Sequence, residues 1–364
     1  MSTNRKYFGS AAPALAAVLA AFAVTATLAS ATAAKASSTV FATGLDNPRG
    51  LKFGPDGFLY VAEGGAGGST STVGDCTQVP PPVGPYLGSP TGGRITKIDT
   101  EGNKTVVIET FPSSQTQPAP AQLISGVADV AFIGDTLYAL TAGSGCSHGV
   151  PNTTNGIFRI DGETATPIAD LSAFQMAHPV ANPEPDDFEP DGTWYSMVVV
   201  RGAFYAVEPN HGEIDRITPD GAISRVVDIS ATQGHVVPTA LAYHGNFYVG
   251  NLGTFGGDID QSKIRKVTPS GQITTVASGF NMVLGLVIDA HDNMYVLEMT
   301  TGSNVPAPNT GRVTKVSPSG VKTVLEDGLL FPTGMTLGPN GHLYVSNGGF
   351  VGPGGGSIVE IDPN

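Results

Sequence analysis

The sequence predicts an all-β fold, a six-bladed β-propeller built from four-stranded blades. Three observations lead there. A strand pair recurs six times, with loose form Gly-x-x-x, a tight turn, then Leu-Tyr-Val. It reads Gly50-Leu51-Lys52-Phe53 with Phe58-Leu59-Tyr60-Val61, then Asp129-Val130-Ala131-Phe132 with Thr136-Leu137-Tyr138-Ala139, and later copies carry Tyr205, Tyr248, Tyr295 and Tyr344. From Tyr205 onward the tyrosines lie 43, 47 and 49 residues apart, the length of one four-stranded blade, roughly 40–50 residues. The first two intervals, 78 and 67, hold insertions. The composition agrees: 48 Gly and 28 Pro in 364 residues favour many turns, and 13% charged residues is about half the usual share near 25%.

Residues 1–36 read as a targeting segment. Arg5 and Lys6 precede an Ala-rich apolar run from Ala11 to Leu28, and small-residue exits follow at Ala29-Ser30-Ala31, Ala31-Thr32-Ala33 and Ala34-Lys35-Ala36. That is the basic, apolar and cleavable order of a secretory signal peptide rather than a stable membrane anchor. Cleavage removes Arg5, Lys6 and Lys35 and none of the 31 acidic residues, so the remaining chain is more acidic than the −13 of the whole. An acidic surface argues against nucleic acid, whose phosphates need clustered Lys and Arg. A secreted, periplasmic or cell-surface monomer is expected.

Within residues 37–364 each hairpin is followed by a third strand, as in Gly93-Arg94-Ile95-Thr96-Lys97-Ile98, Gly212-Glu213-Ile214-Asp215-Arg216-Ile217 and Gly311-Arg312-Val313-Thr314-Lys315-Val316. A turn such as Pro219-Asp220-Gly221 or Pro318-Ser319-Gly320 then leads to an outer strand, as the alternating pattern and turn residues require. The sixth copy ends after Gly356–Ile361 without an outer strand. Thr39–Thr43 has the character to supply it, closing the ring by joining the two ends of the domain.

The third blade, Phe204-Tyr205-Ala206-Val207-Glu208-Pro209-Asn210-His211-Gly212-Glu213-Ile214, resembles an NHL repeat. The six-blade count is similar to gluconolactonase/regucalcin, paraoxonase and strictosidine synthase-like propellers. Asp46-Asn47-Pro48-Arg49-Gly50-Leu51 and Ala181-Asn182-Pro183-Glu184-Pro185-Asp186, with Pro190–Met197, resemble the ScyD/ScyE family of exported bacterial proteins. This resemblance spans essentially the whole chain after residue 36. It implies the fold more firmly than an activity, because that family has no settled chemistry and fold alone does not give function.

Long insertions fall on one face: Gly64–Gly92, Ala142–Asn155, Ser172–Thr193, Gly253–Gln261, Thr300–Thr310 and Gly348–Gly355. The opposite hairpins stay tight, so a ligand site is expected on the looped face. Two places past each repeat's Val/Ala stand Glu63, Thr141, Glu208, Asn251, Glu298 and Asn347. Such oxygens either tie a loop in place or hold a hard cation; Glu63, Glu208, Asn251, Glu298 and Asn347 are the metal set, and Ca²⁺ is the metal it suits. The resemblance to paraoxonases implies a calcium-binding role for Asn251. Gluconolactonase-like enzymes also draw metal ligands from the start of the inner strand, where this chain has Arg49, Ala128, Tyr195, Thr239, Leu284 and Thr333 and no carboxylate. Arg49, Tyr195, Thr239 and Thr333 are therefore candidate contacts for a polar ligand. Asn210 and His211 join them, His211 as the candidate general base or as an inter-blade packing residue.

His148, His178 and His235 are expected on the looped face, without a ligand spacing. Gly145-Cys146-Ser147-His148-Gly149 matches Gly-x-Ser-x-Gly but lacks the strand-to-helix context of a nucleophile elbow. The run Glu184, Asp186, Asp187, Glu189 and Asp191 reads as a solvated acidic loop, lacking EF-hand spacing. Cys76 and Cys146, in same-face loops of adjacent blades with no third cysteine, are expected to form a disulfide. The sequence thus supports a binding or accessory protein taking a small molecule, glycan or protein on its looped face. The alternative is a divalent-cation-dependent hydrolase (lactonase or esterase) or lyase acting at the channel mouth.

Overall fold

The computed structural model describes residues 36–364 apart from 82, 117–122, 255–256 and 304. The segment read as a signal peptide lies outside the described residues, save Ala36. Among the described residues no helix is long and apolar enough to cross a membrane.

Six antiparallel sheets form the blades. Blade one holds Pro48–Phe53, Leu59–Glu63, Leu87–Ile98 and Lys104–Gln115, with Ile124–Ser125 added as a fifth strand. Blade two runs Val127–Ile133, Thr136–Thr141, Gly156–Asp161 and Thr164–Asp170; blade three runs Ser196–Val200, Ala203–Glu208, Glu213–Ile217 and Ile223–Asp228. Blade four comprises Pro238–His244, Asn246–Asn251, Ser262–Val267 and Ile273–Phe280, and blade five Val283–Ile288, Met294–Glu298, Gly311–Val316 and Lys322–Leu329. Blade six takes Gly334–Leu337, Leu343–Asn347 and Gly356–Asp362 from the end of the chain and Ser37–Leu45 from its beginning. That last pairing runs antiparallel from Ser37 opposite Asp362 to Leu45 opposite Gly356. The expected closure is present, with Ser37–Leu45 as the outer strand of the last blade.

Alternation along each strand sends successive side chains to opposite faces, and in a propeller those faces are the two neighbouring blades. In blade two, Leu137 and Ala139 pack on blade one with Ala62, Ile95 and Phe111. Tyr138 and Leu140 turn the other way, onto blade three, with Trp194, Met197 and Phe204. Every other blade junction carries its own cluster, including Leu45, Leu59 and Ile358 where the ring closes. The core is therefore six seams. Tight hairpins on the far face rely on glycines in the left-handed region, Gly57 at φ 81° and Gly341 at φ 83°, which other residues enter at a cost.

The looped face departs from the sequence reading in two places. Leu87–Gly92, expected inside a loop, extends the third strand of blade one to 12 residues, and the outer strand lengthens to match. A helix, Leu171–Ala177, opens the insertion before blade three, capped by the Asp170 side chain accepting from the Ala173 amide. The disulfide joins Cys76 to Cys146, as expected, with Cα atoms 6.3 Å apart. The loops it links run very close: a Cβ on Gly88 would sit 2.4 Å from the His148 carbonyl oxygen, so only glycine fits.

Candidate binding pocket at the channel mouth

The insertions enclose a cavity of about 560 Å³ over the central channel, within the range of small-molecule sites. Its floor comes from the inner strands. Tyr195 of blade three reaches across to blade six, its hydroxyl donating to the Thr333 carbonyl at 2.7 Å. Arg49, Thr239 and Leu284 complete the floor. The Arg49 guanidinium donates to the Ile124 carbonyl and lies over the rings of Phe350 and Tyr195, 5.3 and 6.0 Å from their centroids, a favourable cation–π arrangement.

The walls differ. One is apolar, a cluster of Met282, Leu284 and Met299 with Tyr195, Leu252 and Phe350 packed against it. The other is acidic: Glu184, Asp186, Asp187 and Glu189 from the segment before blade three, beside Asn210, His235 and Tyr86. His235 pairs with Asp187 at 3.0 Å. Burial alone would lower the His235 pKa, but the hydrogen bond and charge of Asp187, with Glu184 and Glu208 behind it, outweigh burial and hold it above its ordinary value.

Glu189 is the outlier of the acidic wall. The sequence placed it in a solvated loop; it is 2% exposed. Its Oε1 accepts from the Tyr86 hydroxyl at 3.1 Å, while Oε2 has no hydrogen-bond partner among the described residues. Burial first, then the charges of Asp187 and Glu208, push its carboxyl well above the usual range. His148 lies 3.7 Å from Oε2 and stacks on Tyr86 at 4.6 Å. Burial lowers the His148 pKa to about 4, which disfavours a charged imidazole beside Glu189. His148 Nδ1 meets the Ser114 hydroxyl at 3.0 Å, which makes the stack a buried back wall.

The candidate residues divide accordingly. Arg49, Tyr195, Asn210 and Thr239 line the pocket; Thr333 sits just beneath, donating to the Pro48 carbonyl at 2.5 Å. His211 does not line it: it is 4% exposed, with Nε2 held 3.1 Å from the Glu189 carbonyl oxygen, behind the acidic wall and away from any ligand. The five-residue metal set is likewise spent elsewhere. Glu63 accepts the Asp46 amide at 2.5 Å, Glu208 the Thr193 and His211 amides at 3.0 and 2.6 Å, and Glu298 the Asn281 amide at 2.9 Å. Asn347 accepts the Leu330 amide at 2.8 Å, and Asn251 donates to the Val236 carbonyl while accepting the Lys263 amide. Each side chain fastens backbone within its own blade, most of them the segment leading into the inner strand. The five do not fit a shared cation: among the described residues no group of three or more His, Cys, Asp or Glu is arranged to hold a metal ion. Thr141 fills the same place in blade two, accepting the Gly156 amide at 3.0 Å.

Nor does Gly145–Gly149 form a nucleophile elbow. Cys146–His148 is a single 3₁₀ turn, and the buried Ser147 hydroxyl donates to Asp191 at 2.6 Å. Among the pocket residues that sequence reasoning missed are Tyr86, Asp187, Glu189 and Phe350. For Glu189 the available signal was its setting between Phe188 and Pro190, an apolar frame unusual for a solvated acid.

Comparison with known proteins adds the fold's range. The chain matches no family model and no curated protein sequence. Among solved structures it is similar to a gluconolactonase from Xanthomonas campestris, at 11% identity, TM-score 0.56 and 90% coverage of each chain. It is similar to the PQQ-bound aldose sugar dehydrogenase from Streptomyces coelicolor, at 16% identity and TM-score 0.53, over 90% of this chain and 98% of that one. A Bacteroides thetaiotaomicron protein of unknown function aligns at 12% identity and TM-score 0.56, over 90% of this chain and 76% of that one. At such identities the likeness shows the six-bladed propeller and nothing of chemistry.

Proposed function

We propose that this protein binds a small organic molecule at the mouth of its central channel, as an exported binding or accessory protein. The observation that carries this reading is the cavity itself: about 560 Å³, with an apolar wall, an acidic wall and a tyrosine floor. A cavity of this volume favours a small molecule over a protein or an extended glycan, which would need a broad open surface. Export follows from the basic, apolar and small-residue order of residues 1–36, and N-terminal sequencing of the secreted chain is expected to begin near Ser37.

A thermal-shift screen of small molecules tests the binding reading. At least one compound is expected to raise the melting temperature, and Phe350→Ala is expected to weaken its binding about tenfold or more. Hits indifferent to Phe350→Ala, or none, would remove the pocket from consideration. A hydrolytic reading takes weaker support, from the fold of gluconolactonase-like neighbours, and the oxygen set that would hold its divalent cation is already engaged.

A further inference from the structure

We propose that the pocket takes a carboxylate carried on an apolar or aromatic body, with the Arg49 guanidinium as its seat. This deepens the binding reading and rests on it.

The starting point is a buried arginine without a counter-charge. Arg49 is 9% exposed, and Arg265 is similarly buried at 6%. Arg265 donates to the side-chain oxygens of Asn251 and Gln233. Arg49 has one hydrogen bond among the described residues, from Nη2 to the Ile124 carbonyl, and no carboxylate among them pairs with it. Nε and Nη1 are left over, and neither is sealed away as Glu189 Oε2 is. The neighbouring rings show where this head lies. Its central carbon is 5.3 Å from the Phe350 ring centroid and 6.0 Å from that of Tyr195. Both rings line the cavity, as do Leu123 and Ser125 on either side of the carbonyl that Arg49 bonds. The charged head, and not only the stem, therefore borders the cavity.

Taking a guanidinium out of water costs free energy that a paired anion returns. The surroundings do not supply one. The Tyr195 hydroxyl stands beside Arg49, but burial raises its pKa to about 12 despite that positive charge, so it stays neutral. The acidic wall opposes an anion less than its residue count suggests. Asp187 is paired with His235, and Asp186 is exposed, where salt and water screen it. Burial first, then Asp187 and Glu208, holds the Glu189 carboxyl toward its neutral form. A carboxylate can meet Nε and Nη1 with both oxygens, a planar fit that an alcohol or an amide does not match. An amine would meet Arg49 as like charge. Leu252, Leu284, Met299 and Phe350 offer apolar surface to the rest of the molecule.

The test titrates naphthylacetate and its neutral isostere, naphthylacetamide, into the purified protein by calorimetry near neutral pH. The carboxylate is expected to bind about tenfold or more tightly than the amide. Arg49→Gln is expected to bring the carboxylate within about twofold of the amide. Should that variant fail to fold, Arg49→Lys keeps the charge and loses the planar fork. It is expected to weaken the carboxylate about threefold or more and to leave the amide within about twofold of its original affinity. An amide that binds as tightly as the carboxylate overturns the proposal and leaves the pocket standing. So does a carboxylate preference that survives Arg49→Gln or is unchanged in Arg49→Lys, which would move the seat to another group. Silence from both probes alongside Phe350-dependent hits in the thermal screen has the same meaning. Silence in both experiments overturns carboxylate and pocket together.

Discussion

Blades one and three meet the same structural demand with opposite chemistry. In blade one, Glu63 accepts the Asp46 amide and is itself met by the Thr96 hydroxyl and by Arg94 at 3.1 Å. Blade five repeats the pattern, with Glu298 near Thr314 at 3.3 Å and Arg312 at 3.5 Å. In blade three the strand register puts Asp215 where Thr96 stands and Glu213 where Arg94 stands. Glu208 still holds its two amides, but its strand neighbours are now acids. Arg225, on the outer strand, reaches back to Glu213, yet both Asp215 oxygens and Glu213 Oε1 lack partners among the described residues. A repeat position conserves a geometric duty, fastening one loop, and leaves the sign of its surroundings free.

The largest effect is expected from breaking the complete tie. Glu63→Ala takes the acceptor from the Asp46 amide and the Thr96 hydroxyl at a fully buried position, while Arg94 keeps the Asp46 carboxylate at 3.0 Å, and should cost about 2–3 kcal/mol. Urea unfolding measures it; a loss below about 1 kcal/mol would mean the tie is ornamental and blade three no exception.

A smaller, pH-dependent effect belongs to blade three. Burial first, then neighbouring negative charge, raises the pKa of both Asp215 and Glu213 despite Arg225. A carboxyl raised in the folded state binds more protons than it does unfolded. Its contribution is therefore favourable at low pH and is lost as pH climbs above the ordinary carboxylate range near about 4. Asp215→Thr, which installs the residue of blades one and five, should stabilise the protein by about 1–2 kcal/mol more at pH 8 than at pH 5. Parallel stability curves for the two proteins would show that Asp215 does not store that proton.

How much of this was legible in the sequence follows from range. The seams and the ring closure were readable because strand alternation and the blade-length interval are local signals repeated six times. Arg49, Tyr195 and Thr239 could be placed at the channel mouth for the same reason, since inner-strand starts are fixed by the repeat. Glu189 could not be read as buried, because what buries it comes from outside the repeat. Its hydrogen-bond donor, Tyr86, lies 103 residues away, and the Gln175 amide that braces its backbone sits on a helix inside an insertion. His211 had two readings, a base or a packing residue, and its burial against the Glu189 carbonyl oxygen favours packing.

The smallest expected effect sharpens the comparison most. Thr314 contributes one hydroxyl to Glu298, at 3.3 Å, while the Asn281 amide remains bound at 2.9 Å and Arg312 stays within 3.5 Å. Thr314→Val keeps the shape and removes one donor, so the loss should be about 1 kcal/mol. Burial raises the Glu298 pKa and the Thr314 hydroxyl lowers it, so the loss should be somewhat larger at pH 8 than at pH 5. Its pH dependence should still be smaller than the Asp215 effect, because Arg312 stays in place. Blade three holds three acids, Glu208, Glu213 and Asp215, against Arg225, whereas the altered blade five would hold one acid against one arginine. A pH dependence in Thr314→Val as large as that of Asp215→Thr would mean that a missing hydroxyl, and not the added acid, makes blade three respond to protons.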